Sequence, residues 1–368
     1  MNSDVLPVKL RPEQERAVVE IEDVFSKHDT AVLLAPPAAG KSVVSVTVAS
    51  RMDLRTIVMT PNKRLQAQYA DLPTSLPFTV GRNNHPCLVV DGATAAHGPC
   101  LWGYKCPERH GACPYFSERD SAIAAPIAVA NFSLVLADPE GGLLRDGGLI
   151  VVDECHDLEA SAARQLAIDV DVEMATHAVS GLEALPAKTT VTAYREWAER
   201  AEPIVSTCAD HYQGRVEARG ENVPRRGLEF VRRIVGLASA VRRLRTIDHT
   251  WVPTVLDSTA TEQPKVVTFM PTNVAPLLME TLWSEGTKRL LMSGSVGDAD
   301  ALAKTLGLED YALVTMPCTI PAQQRPINLL APGRCDTREL FVVRHATVRS
   351  YQFSDGGTRG PSGHSTHR

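Results

Sequence analysis

The chain has 368 residues, 44% hydrophobic and 22% charged, which excludes a mainly disordered, collagen-like or coiled-coil protein. No run reaches the roughly 18 apolar residues of a membrane span. Lys and Arg number 38 against 43 Asp and Glu, a net charge of −5, so nucleic acid could be met only by local basic patches.

Aromatic residues make up 5%, too few for a broad base-stacking surface. Met1 to Leu10 carry no basic-then-apolar leader, which predicts a cytoplasmic or nucleoid-associated protein, not a secreted one. In such a reducing compartment the eight cysteines point to metal or catalysis rather than to disulfides.

In chain order, short apolar runs at Ala31–Ala35, Thr56–Thr60, Ile127–Ala130, Leu149–Asp153 and Arg289–Ser293 each precede a helix-like stretch. This alternation predicts an α/β fold, a parallel sheet with helices on both faces and ligands at the carboxyl ends of its strands. Two segments interrupt it. Residues 81–120 are rich in Cys, Gly, Pro and His. Residues 161–262 read as helical, with apolar residues at three- and four-residue spacing in Tyr194–Ala201 and Leu228–Arg245. Residues 215–245 hold nine Arg against three Glu, either a solvated helix face or a phosphate-contacting surface. The end, Ser350–Arg368, is polar and Gly/Ser-rich and reads as disordered.

The first apolar run leads into Ala35-Pro36-Pro37-Ala38-Ala39-Gly40-Lys41-Ser42. Small residues such as Ala38, Ala39 and Gly40 let a backbone wrap tightly, so that its N–H groups and a helix N-terminus can face phosphate oxygens. Lys41 would reach the β- and γ-phosphates, and the Ser42 hydroxyl would ligate Mg²⁺. Ala35 and Ala38 stand where the strict pattern has, or commonly has, Gly. A metal-holding acid is needed on a neighbouring strand, and Leu149–Asp153 ends in Asp153-Glu154-Cys155-His156. Asp153 would hold Mg²⁺ through water and Glu154 would orient and deprotonate the attacking water.

Four cysteines follow the spacing Cys87-x12-Cys100-x5-Cys106-x6-Cys113, with no Cys-x-x-Cys knuckle. Four thiolates suit a 4Fe–4S cluster; Zn²⁺ and free thiols are the alternatives. His85, His97 and His110 share the segment and are not expected to be ligands. Arg82, Lys105, Arg109 and Arg119 are candidate phosphate partners, and Trp102, Tyr104 and Tyr115 candidate stacking residues.

These motifs together resemble superfamily-two helicases, and Asp-Glu-Cys-His resembles a DEAH-box variant. Arg11-Pro12-Glu13-Gln14 resembles the family's adenine-reading Gln motif. Thr60-Pro61-Asn62 with Leu65-Gln66-Ala67-Gln68 resembles its DNA-backbone motif, placing Thr60, Asn62 and Gln66 on DNA. Leu291-Met292-Ser293-Gly294-Ser295 resembles the motif coupling ATP state to domain movement, which assigns coupling to Ser293, Gly294 and Ser295 together with His156. The cysteine segment resembles that of the iron–sulfur DNA helicases of the xeroderma pigmentosum group D and damage-inducible G type.

That resemblance implies a RecA-like first motor domain in three pieces, 1–80, 121–160 and 263–315. The iron–sulfur segment 81–120 and a helical arch-like insertion 161–262 would interrupt it. It implies an ATP- and Mg²⁺-dependent enzyme moving 5′ to 3′ on single-stranded or forked DNA in repair or replication, with no membrane role. Residues 316–368, with Arg325 in Pro317–Pro326, resemble only the start of a second motor domain. The expectation is a chain that is slow alone, either a truncated product or one whose second lobe comes from another chain.

Overall fold

The computed structural model describes residues 9–73, 76–102, 106–137, 142–144, 148–186, 190–219, 225–256, 265–283, 287–317, 328–329 and 349–350. Tyr104, Lys105, Arg325 and most of 316–368 lie outside these residues, as does the side chain of Trp102.

Seven strands form one wholly parallel sheet: β1 Thr30–Leu34, β2 Thr56–Thr60, β3 Phe78–Thr79, β4 Ile127–Asn131, β5 Leu149–Asp153, β9 Lys288–Ser293 and β10 Ala312–Thr315. Their spatial order is β10-β1-β9-β5-β2-β4-β3. The five expected runs are the five central strands, because each is a Val/Ile/Leu stretch buried on both faces. The edges β3 and β10 were not anticipated; two and four residues are too short to stand out in a pattern.

Alternate residues of the strands feed two cores. Ala31, Leu33, Val58, Val129, Val151 and Met292 pack under α1 Pro12–Phe25 and α2 Lys41–Met52. Val32, Met59, Ala130, Val152 and Leu291 pack on the other face, with α5 Phe132–Ala137, α6 Leu158–Gln165, α10 Ala275–Thr281 and α11 Ala299–Thr305. α3 Lys63–Ala70 follows β2, and α4 Pro114–Ala124 follows the cysteine segment.

Segment 161–262 departs from the all-helical expectation. It holds α7 Val172–Ala178 and the long pair α8 Val191–Arg219 and α9 Arg225–Leu244. It also holds β6 Ile168–Asp171 and β7 Trp251–Leu256, which flank β8 Val266–Pro271 in a three-stranded antiparallel sheet. Thus β8, expected in the last motor piece, pairs with the insertion instead. A third core, around Trp197, Ile234, Val241 and Phe269, closes this unit. The tip of the helix pair packs Val216, Leu228 and Val231 against Val90 of the cysteine segment.

A second unit begins at Cys318; in it Asn328–Leu329 pairs antiparallel with Arg349–Ser350. Among the described residues no helix is long and apolar enough to cross a membrane.

Candidate functional site

The loop between β1 and α2 is a tight turn. Ala38 (φ 62°) and Gly40 (φ 86°) both adopt left-handed backbone. At Gly40 a Cβ would also sit 2.2 Å from the Gln14 amide nitrogen, so both backbone and space demand glycine there. Gln14 is 5% exposed; its Nε2 donates to Ala39 O at 3.1 Å, and its Oε1 accepts from Arg11 N at 2.9 Å. The Arg11 guanidinium also donates to Ala39 O. The expected adenine reader therefore spends its amide on fastening α1 to the loop.

Lys41 opens α2, and its Nζ donates to Glu154 Oε1 at 3.1 Å. Sheet order places β9 between β1 and β5, so this ion pair spans one strand at the carboxyl edge. Glu154 itself holds φ 52°, a strained value for a side-chain-bearing residue and one found at working sites. Asp153, 3% exposed, has both carboxylate oxygens engaged: Oδ1 accepts from Glu154 N at 3.0 Å and Oδ2 from the Tyr69 hydroxyl at 3.1 Å. Burial, and then the Glu154 charge, push the Asp153 carboxyl up, with Lys41 pulling the other way. Tyr69 is fully buried; burial, and then Asp153, raise its pKa well above the ordinary phenol value. The Cys155 thiol is pushed to about 12 by burial and the two acids, which makes it an inert filler.

Tyr69 was missed in the sequence. It follows Leu65-Gln66-Ala67-Gln68 as an aromatic at a helix end, and only the α3 packing brings it to Asp153.

His156 and Ser293 do meet, Nδ1 to Oγ at 2.9 Å. The Ser293 hydroxyl donates its one hydrogen to Ser295 O at 2.8 Å, so Nδ1 must bring the hydrogen to the His156 contact. Gly294 lies against Pro37 of the phosphate loop, and Ala35 N donates to Ser293 O at 3.1 Å.

The DNA assignments fare differently. Thr60 is 0% exposed and donates to Asn62 O at 3.2 Å; Gln66 is 2% exposed and donates to Thr79 O at 3.1 Å, tying α3 to β3. Neither side chain can reach a nucleic acid from the core. Asn62 is exposed, and its Oδ1 caps α3 by accepting from Leu65 N at 3.1 Å.

The four early cysteines gather. The Cys87 and Cys100 sulfurs stand 3.3 and 3.4 Å from where a Gly98 Cβ would lie. The Cys106 thiol is pushed up by burial first, and also by Cys100, Cys113 and Cys87. They do not converge further: among the described residues no three His, Cys, Asp or Glu are placed to hold a metal ion. An all-thiol donor set with a bulk-free glycine between two sulfurs fits an iron–sulfur cluster in chemistry.

Arg82 donates to Cys100 Sγ at 3.2 Å and stacks 4.3 Å from the Tyr115 ring; Arg109 stacks 4.2 Å from Phe116. Tyr115 and Arg119 are buried, so neither can take the stacking or phosphate role expected of it. His85 lies 3.3 Å from Glu118, His97 Nδ1 lies 3.1 Å from the Thr94 hydroxyl, and His110 is exposed.

Part of the arginine-rich stretch is engaged at the surface. Arg233 pairs with Asp171 at 2.7 Å and Glu173 at 2.8 Å, while Arg242 and Arg245 reach Glu202 at 3.5 and 2.6 Å. Arg243 donates to the Leu166 and Ala167 carbonyls. Arg215, Arg219, Arg226 and Arg232 are exposed, as are Arg242, Arg243 and Arg245.

Residues 7–180 match the family model described as type III restriction enzyme, res subunit. No curated protein sequence matches the chain. A solved XPD helicase shares the fold with TM-score 0.55 at 14% identity, over 84% of this chain and 63% of that one. A truncated XPD shares it with TM-score 0.51 at 13% identity, over 84% of this chain and 100% of that one. The chain thus spans under two thirds of the length of the first. The seven-stranded parallel sheet flanked by helices is RecA-like, matching XPD helicase structures. The family model spans just under half of the chain, and the two XPD structures share its fold.

Proposed function

We propose that this chain carries the first motor domain of an ATP-dependent DNA helicase of the iron–sulfur type. The observation that carries the reading is the Lys41–Glu154 ion pair at 3.1 Å, with Asp153 beside it, at the carboxyl ends of the strands. A triphosphate at the loop would compete for Lys41. Lys41 would move to the β- and γ-phosphates and free Glu154 to take a proton from the attacking water. Ala38, Ala39 and Gly40 supply the backbone cup, with Gln14 behind it. Ser42 and Asp153 are the residues that would hold Mg²⁺, which when bound neutralises phosphate charge. His156, joined to Ser293, passes the state of the site to the Ser293–Ser295 turn.

Cys87, Cys100, Cys106 and Cys113 would hold a 4Fe–4S cluster that staples a segment with little core of its own. The long, irregular spacing with no Cys-x-x-Cys knuckle supports this over Zn²⁺. Asn62 and the exposed arginines of 215–245 are the candidate contacts to single-stranded or forked DNA. Movement 5′ to 3′, work in repair or replication, and a cytoplasmic or nucleoid setting complete the reading. The motor pieces are taken as 1–80, 121–160 and from α10 onward, with 81–120 and 161–271 as insertions.

The test is Glu154→Gln in the purified full chain. DNA-stimulated phosphate release is expected to fall by roughly 10²–10⁴-fold while nucleotide binding persists. Release already at background and unmoved by the substitution would overturn the ATPase reading in favour of a non-catalytic ATP- and nucleic-acid-binding module.

A further inference from the structure

We propose that Tyr69 is the positioning residue of the divalent-cation site, a phenol that sets Asp153 and ties it to helix α3. The inference rests on the nucleotide-site reading above and deepens it. Tyr69 sits at the C-terminal end of α3, with no exposed surface. Its hydroxyl donates to Asp153 Oδ2 at 3.1 Å. A group from a helix with no part in the phosphate loop thus holds the carboxylate that would hold the cation.

The chemistry is specific. A carboxylate that holds a cation through water must keep a fixed plane. Asp153 has one oxygen held by Glu154 N at 3.0 Å and the other by Tyr69. Removing the phenolic oxygen would leave Asp153 with one anchor. Outer partners of this kind typically affect cation affinity more than they affect the fold.

Tyr69 also gives α3 a path to the cation. The same helix begins at the exposed cap Asn62 and is strapped to β3 by Gln66. A ligand that shifts the start of α3 would move the Tyr69 hydroxyl against Asp153. This route is separate from the His156–Ser293 contact, which leaves from β9.

The experiment is Tyr69→Phe in the full chain, with Mg²⁺ titrated against binding of a fluorescent ATP analogue and thermal melting as the folding control. The Mg²⁺ half-saturation is expected to rise about 10-fold, with nucleotide affinity in the absence of metal unchanged. Wild-type binding that depends on Mg²⁺ together with an unchanged half-saturation in Tyr69→Phe would overturn the role of Tyr69 alone. A wild-type chain whose nucleotide binding ignores Mg²⁺ would overturn the site reading and this inference with it. An equal loss of metal-free and Mg²⁺-dependent binding would mark Tyr69 as a packing residue and also refute the proposal.

Discussion

At the scale of single residues, the site stores cost. Ionising Asp153 works against burial and then against Glu154, and its folded pKa lies above the ordinary carboxylate value. The folded state therefore binds the proton more tightly than the unfolded one, and stability declines as pH rises through that folded value. Asp153→Asn removes the buried charge while keeping an acceptor for Glu154 N. Without nucleotide this variant should melt higher than wild type at neutral pH, and the difference should vanish in acid; calorimetry at two pH values checks it. The same variant should lose Mg²⁺-dependent nucleotide binding. Ala38 and Glu154, both at positive φ, are further places where geometry is held against local preference. The identities of Lys41, Asp153 and Glu154 stood out in the sequence because each follows an apolar strand run. Tyr69 did not, since nothing near it in the chain marks its partner 84 residues away.

At the scale of elements, the arginine-rich stretch divides by partner. Arg243 lashes α9 to the end of α6, where free helix carbonyls need donors. Burial pulls its guanidinium pKa down, although the backbone contacts keep it fastened. Arg243→Met should destabilise the fold by about 0.5–1.5 kcal/mol, the net worth of a typical hydrogen bond, because the side chain stays open to solvent. Arg215→Met and Arg226→Met should leave melting unchanged. If these two touch phosphates, each should lower the salt slope of DNA binding by about one. Thermal melting and a salt titration of DNA affinity separate the two groups. A count of charge along the sequence could not make this division, because the carboxylates that answer Arg233, Arg242 and Arg245 sit on α8 and around β6 and α7.

At the scale of the whole molecule, the described residues of the first unit hold three large cores, two on the faces of the large sheet and one within the helical insertion, and two small clusters around Tyr115 and Val216. Trp197, 1% exposed, fills the third, and its indole donates to Glu183 O at 2.9 Å. Trp197→Ala should cost about 3–5 kcal/mol. Because its neighbours are not those of the sheet, the loss should open α8, α9 and the small sheet to protease while nucleotide binding survives. Limited proteolysis with and without nucleotide tests this; simultaneous loss of both would mean the cores fold as one.

Thr56–Thr60 and Leu149–Asp153 were legible with their observed bounds, since a strand buried on both faces must be apolar throughout and the next residues must turn. The phosphate loop was legible for a similar reason: small residues and a helix start are local requirements. The tertiary structure alone decided which polar groups are spent. It gave Gln14 to the loop, Gln66 to β3, Tyr115 to the core and Arg82 to a thiol, and it drew β6, β7 and β8 into one sheet from distant stretches. Local pattern records which face of an element is dry; it does not record which distant donor an acceptor will meet, because that distance exists only after the chain has packed.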